Sequence, residues 1–96
     1  MPDALNLVFG ALADPSRRQV IGYLSTHDSA TATELTGELP MTRQAVSKHL
    51  TTLAGAGLVE AEREGRETRY RLTQAGAEWD DRLDALAKHL DRRTGI

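Results

Sequence analysis

Pro40-Met41-Thr42-Arg43-Gln44-Ala45-Val46-Ser47-Lys48-His49-Leu50-Thr51-Thr52-Leu53-Ala54-Gly55-Ala56-Gly57-Leu58-Val59 is the stretch whose periodicity decides the fold. Proline and a capping threonine open a helix here, and glycine closes it. Val46, Leu50 and Leu53 fall at i, i+4 and i+7, so they form one apolar stripe that must be buried. Arg43, Gln44, Ser47, Lys48 and Thr51 fall on the opposite side, giving a polar, basic outer face. Those residue types suit hydrogen bonds to base edges and phosphates, as a helix entering a major groove requires.

Upstream, residues 32–39 predict a short helix buried through Leu35 and Leu39 and stopped by Pro40. The next helix follows almost at once, which is the spacing of a helix-turn-helix. Leu5, Val8, Phe9 and Leu12 recur at helical intervals between Asp3 and Ala13. Asp14-Pro15-Ser16 then restarts the chain, with aspartate as N-cap and proline at the first helical position. That second helix presents Val20, Ile21 and Leu24 and frays near His27-Asp28.

Downstream of Gly57 the apolar period drops from 3.6 to 2. Val59–Glu64 and Glu67–Leu72 flank Gly65-Arg66, a two-residue hairpin turn. The turn sets a register in which Val59 faces Leu72, Glu60 faces Arg71, Ala61 faces Tyr70 and Glu62 faces Arg69, while Arg63 faces Thr68 and Glu64 faces Glu67. Val59, Ala61, Tyr70 and Leu72 then share the face that packs on the helices. Glu60, Glu62, Arg69 and Arg71 share the other as opposite-charge cross-strand pairs. Thr73 caps a fifth helix carrying Trp79, Leu83, Leu86 and Leu90. The expected architecture is mainly α with a small β-hairpin, a winged helix-turn-helix in the order α-α-α-α-β-β-α. It forms one DNA-binding domain over residues 1–96, with dimerisation helices at both ends.

Composition narrows the function classes. The net charge of −2 hides an asymmetry: residues 42–71 hold six Lys/Arg against four Glu, and the remainder six against ten acidic residues. The field at a contact surface matters more than the sum, so the excess of positive charge around the basic helix is compatible with DNA. Cysteine is absent, which excludes disulfides and thiolate metal sites. No apolar run reaches the length of a membrane span or signal-peptide core, so a cytoplasmic protein without a membrane partner is expected. No serine–histidine–acid set, phosphate-cradling glycine loop or paired-carboxylate arrangement is present at a recognisable spacing, which argues against an enzyme.

The chain resembles the ArsR/SmtB family of bacterial winged-helix repressors. The matching residues are Phe9-Gly10-Ala11-Leu12-Ala13-Asp14-Pro15-Ser16-Arg17-Arg18 with Ile21 and Leu24, then Glu34-Leu35, then Gln44-Ala45-Val46-Ser47-Lys48-His49-Leu50 with Leu53. Gly57-Leu58-Val59 and the wing from Gly65-Arg66 to Tyr70-Arg71-Leu72 complete the match. The resemblance implies a homodimer on palindromic double-stranded operator DNA. The family's metal boxes do not carry over. There is no thiol around Glu34–Leu39, and the last helix offers Asp80, Asp81 and Asp84, then only His89 with Arg92 three residues on. One imidazole beside a cation is a poor ligand set for zinc or nickel, so neither a metal nor any other cofactor is expected.

The DNA-binding set expected from pattern and resemblance together is Thr42, Arg43, Gln44, Ser47, Lys48, Arg63, Arg66 and Arg69. Arg43 suits guanine and Gln44 adenine, Arg66 at the wing tip suits phosphate, and Thr42 serves first as a helix cap. Arg71, opposite Glu60, reads as a structural pair, and Arg17 and Arg18 as braces of the fold. His49 beside the buried stripe reads as packed and hydrogen-bonded. The expected dimer interface is Leu5, Val8, Phe9 and Leu12 with Trp79, Leu83, Leu86 and Leu90, since a small trihelical core does not need all of that apolar surface. The function expected is a metal-independent homodimeric repressor. The alternatives are a repressor sensing a metal or small molecule at the dimer interface, or a winged helix used for protein association. The latter predicts a neutral or acidic outer helix face, against which Arg43 and Lys48 stand.

Overall fold

A computed structural model of the chain describes residues 3–94. Helix α1 spans Ala4–Leu12 and starts at Asp3, whose carboxylate accepts the Asn6 N–H at 2.8 Å. Helix α2 (Pro15–Thr26) follows a two-residue corner. Its N-cap Asp14 accepts the N–H groups of Ser16 (2.7 Å) and Arg17 (3.3 Å). Those two bonds satisfy donors that the first turn leaves without partners. They also hold the Asp14 carboxyl below the usual carboxylate range, with the Ser16 N–H as the largest cause.

Strand β1 is the pair Ala30–Thr31, and α3 (Ala32–Glu38) begins directly from it. Thr31 and Glu34 form a reciprocal capping box, with Glu34 N–H on the Thr31 hydroxyl at 3.0 Å and Thr31 N–H on Glu34 Oε1 at 2.9 Å. Four residues, Leu39 to Thr42, turn the chain into α4 (Arg43–Gly55), capped by Thr42 on the Ala45 N–H at 3.1 Å. Strands β2 (Val59–Glu64) and β3 (Glu67–Leu72) form the wing, and α5 runs over Gln74–Thr94. Gly65, at φ 61°, occupies the first central position of the β2–β3 turn, where a side chain would be strained.

The hairpin has the register that the turn predicts, from Val59 opposite Leu72 to Glu64 opposite Glu67. The fold carries one element more than expected. β1 joins the sheet beside β3, pairing Ala30 with Tyr70 and Thr31 with Arg69, so the antiparallel order is β1-β3-β2. Two residues are too few to show an alternating pattern, which is why the sequence gives no sign of this strand. Ala61 is a second difference. It is exposed, because β2 leaves the core after Val59 and the wing projects into solvent.

The core joins Val20, Ile21 and Leu24 of α2 and Leu35 of α3 to Val46, Leu50 and Leu53 of α4, with Leu58 and Val59 at the foot of the wing. Val8, Ala11 and Leu12 close it from α1. At the base of the wing, Thr73 N–H donates to Leu58 O at 3.1 Å and its hydroxyl to Gly57 O at 2.6 Å. The same hydroxyl accepts Gly76 N–H at 3.1 Å and so caps α5. This clasp brings α5 so close that a Cβ on Gly76 would overlap the Leu58 carbonyl oxygen and stand 3.2 Å from Leu72 Cδ2.

Because the obstructing atoms are backbone, Gly76→Ala is expected to lower unfolding free energy by about 1–3 kcal/mol, the usual cost of overpacking. Urea denaturation of the two proteins measures this directly. An unchanged midpoint would show that α5 is free to lift off the foot of the wing.

Candidate nucleic-acid interface

Burial of Val46, Leu50 and Leu53 at 0%, 1% and 0% exposure turns Thr42, Arg43, Gln44, Ser47 and Lys48 outward together. All five are exposed, and they occupy the N-terminal half of α4 and its cap. The face looks across a cleft of about 630 Å³ toward the wing. Thr33, Arg43 and Ser47 line one wall, and Arg66, Glu67 and Arg69 the other. Arg43 is already oriented, since its Nη1 donates to the Thr33 hydroxyl at 2.9 Å. Thr33 was not expected at the site. Its only signal is a polar side chain on the helix preceding α4.

The wing arginines divide into different roles. Arg66 is exposed at the tip, with no side-chain hydrogen bond or ion pair among the described residues. Arg63 folds back, its Nε donating to Gly65 O at 3.0 Å, and so braces the turn. Pattern and register place Arg69 in the DNA-facing set and opposite Glu62, but its side chain is engaged elsewhere. It contacts Glu34 at 3.0 Å, Glu67 at 3.5 Å and Glu64 at 4.0 Å, and donates to the Ser29 hydroxyl at 2.9 Å. Arg71 takes Glu62 at 2.9 Å in place of Glu60. Strand twist explains the change, since long side chains reach their diagonal neighbours as easily as those directly opposite.

Behind this surface, Arg17 and Arg18 brace the α1–α2 corner as expected. Arg17 Nε donates to Ala11 O at 2.7 Å and Arg18 Nη1 to Leu12 O at 2.5 Å, capping the last carbonyls of α1. His49 is packed, but its buried Nδ1 has no hydrogen-bond partner among the described residues, against the expectation of a bonded ring. Among the described residues, no three His, Asp or Glu side chains are grouped so as to hold a metal ion.

The apolar set on α1 and α5 also divides. Leu5, Phe9, Leu86 and Leu90 are each about half exposed, and Leu7, not anticipated, is 45% exposed. Val8 and Leu12 instead spend their side chains inside the chain's own core, and Trp79 and Leu83 pack partly against it. In nine residues, α1 carries apolar groups on both sides. A helix apolar all round has to be covered on more than one face, and that was the signal for Leu7. Phe9 meets Trp79 edge to face, with centroids 5.6 Å apart, which brings the aromatic groups of α1 and α5 together.

Residues 12–62 match the family described as "Helix-turn-helix domain". The chain is 42% identical over 65 residues to the HTH-type transcriptional regulator YuzN of Bacillus subtilis, covering 62% of this chain and 71% of that protein. Among solved structures, it is similar to an ArsR-like transcriptional regulator from Rhodococcus sp. RHA1. The TM-score is 0.72 and the identity 38%, over 95% of this chain and 86% of that one. It is also similar to a homodimeric winged helix-turn-helix DNA-binding domain from Mycobacterium bovis, a possible ArsR-family regulator. There the TM-score is 0.86 and the identity 28%, over 94% and 84% of the two chains. These relatives are transcriptional regulators, not enzymes.

Glu34 joins the capping box to the cleft, and its carboxyl lies below the usual range, chiefly through the Thr31 N–H, then through the Thr31 side chain and the Arg69 guanidinium, against the opposing effect of burial. A depressed carboxylate contributes stability above its unfolded pKa and loses that contribution as pH falls through its folded value. Thermal unfolding between about pH 5 and pH 2 should therefore show a decline that Glu34→Gln makes shallower. Parallel declines in the two proteins would remove Glu34 from the acid response.

Proposed function

Because the chain belongs to the ArsR family of winged helix-turn-helix transcriptional regulators, we propose that it is a homodimeric repressor that occupies operator DNA without a metal ion. The observation that carries this is the outward face of α4. Thr42, Arg43, Gln44, Ser47 and Lys48 stand exposed above a buried stripe, beside a cleft whose far wall ends in Arg66. In the proposed complex α4 enters a major groove, with Arg43 and Gln44 reading base edges and Ser47 and Lys48 on base or phosphate. Arg66 follows the flanking backbone, where contact fixes position but carries little sequence information. Repression comes from excluding polymerase from promoter DNA in the cytoplasm.

The exposed leucines and Phe9 on α1 and α5 support a second copy as the cover for that surface, which is larger than scattered surface apolar groups require. Two-fold symmetry then sets the two α4 helices about 34 Å apart and calls for a palindromic site. Metal independence rests on donor chemistry: no cysteine in the chain, and on α5 a single histidine, His89, with Arg92 where a second ligand would stand.

Duplexes selected by the protein from a random-sequence pool, and scrambled duplexes of equal composition, test the DNA reading. Arg43→Ala should cost about 1–3 kcal/mol on the selected duplex and relax preference at one or two positions. Arg66→Ala should weaken both duplexes alike and reduce the salt slope by roughly one. Equal losses on both duplexes for Arg43→Ala would make it a backbone contact. Sedimentation tests the assembly: the wild-type chain should be a dimer at micromolar concentration, and Leu86→Glu should yield monomer with weakened DNA binding. A wild-type monomer would overturn the dimer.

A further inference from the structure

Arg69 is the most heavily engaged cation of the wing, and its partners come from both sides of the cleft. Its backbone pairs with Thr31 of β1. Its Nε and Nη2 donate to the Ser29 hydroxyl and carbonyl at 2.9 and 3.5 Å. Nη2 also meets Glu34 Oε1 at 3.0 Å, the same oxygen that accepts Thr31 N–H at the start of α3. Nη1 lies 3.5 Å from Glu67, and Nε lies 4.0 Å from Glu64. All three guanidinium nitrogens are engaged, and the side chain is 23% exposed, while its three carboxylates are 49–65% exposed.

This arrangement sets one cation against three carboxylates, on the wall that faces Arg43 and Ser47. An arginine already neutralised by carboxylates has little field to offer a phosphate, and taking it away from them would leave those carboxylates facing the nucleic acid.

We propose that Arg69 is a positioning residue for DNA binding. It touches no DNA, but ties the wing to the start of α3 and masks the carboxylates of Glu34, Glu64 and Glu67, which otherwise repel the phosphate backbone from the cleft. The inference rests on the cleft beside α4 being the DNA site. It makes Glu67, the most exposed of the three, an antagonist of binding that keeps affinity below what the basic residues alone would give.

A double-mutant cycle separates this role from a phosphate contact. Both losses are electrostatic and shrink as salt rises, but only a mask makes the glutamate-to-glutamine gain larger when the arginine is gone than when it is present. The probes are the selected and scrambled duplexes, titrated with the full chain at several salt concentrations. Arg69→Gln should weaken both by about tenfold, less so as salt rises, and adding Glu64→Gln and Glu67→Gln should recover about threefold more than the same two substitutions gain in the wild-type chain. Glu67→Gln alone should tighten both about two- to threefold. A salt-dependent loss with a glutamine gain no larger in Arg69→Gln than in the wild type would make Arg69 a phosphate contact and overturn the proposal. A loss equal at every salt concentration and without that extra recovery would assign it a purely structural role and overturn it too. Should Arg69→Gln fail to fold by circular dichroism, Glu67→Gln decides, and unchanged or weakened affinity there overturns the proposal. A wild-type chain that selects no duplex fails at an earlier step and removes the DNA reading itself.

Discussion

The rotation of α4 about its own axis is the constraint on which the rest depends. Val46, Leu50 and Leu53 lose nearly all contact with water among side chains of α2 and α3 and the foot of the wing. Burying each is worth about 1.5–3 kcal/mol, so turning any of them outward is prohibitive for a domain of this size. Once they are fixed, 100° per residue settles where Arg43, Gln44, Ser47 and Lys48 must stand. The capped start at Thr42 and the four-residue turn after α3 then set how far that face projects.

The elements that were legible in the sequence are those whose signals are local and redundant. The N-caps at Asp14, Thr42 and Thr73, the proline after the cap of α2 and the two-residue hairpin turn each specify a boundary by satisfying particular backbone groups. The outward face of α4 followed from periodicity alone. Side-chain partnerships were far less legible. Register places Arg71 opposite Glu60, but twist and side-chain length decide that it takes Glu62. Arg69 reaches Ser29, 40 residues away, because β1 pairs alongside β3. A two-residue strand leaves no periodic trace, so this whole cluster was hidden. Val8 and Leu12 share the helical spacing of Leu5, and only the packed structure sorts inner from outer residues on so short a helix.

The charge distribution gains meaning from the same geometry. A chain of net charge −2 meets a polyanion through a local field, and most of its acidic residues lie outside residues 42–71. Within that segment, Glu62 is matched by Arg71 and Glu64 and Glu67 by Arg69. What is left over is Arg43, Lys48, Arg63 and Arg66 against Glu60, a sparse set of positive charges. Few charges make a weak sequence-independent attraction, so in the proposed complex hydrogen-bond geometry on α4 supplies a larger share of discrimination.

The contact at Gly76 has a mechanical side. A joint that leaves no room for a methyl group, and that is pinned by Thr73 to both Gly57 and Leu58, has no slack. Close-packed contacts of this kind transmit displacement instead of absorbing it. Tilting α5 about its first turn therefore drags the foot of the wing and the C-terminal end of α4 with it, as a lever moves the block it is bolted to. A long helix, 21 residues from Gln74 to Thr94, gives that lever its arm. A load anywhere along its length bears on that same joint, where the wing and the end of α4 meet.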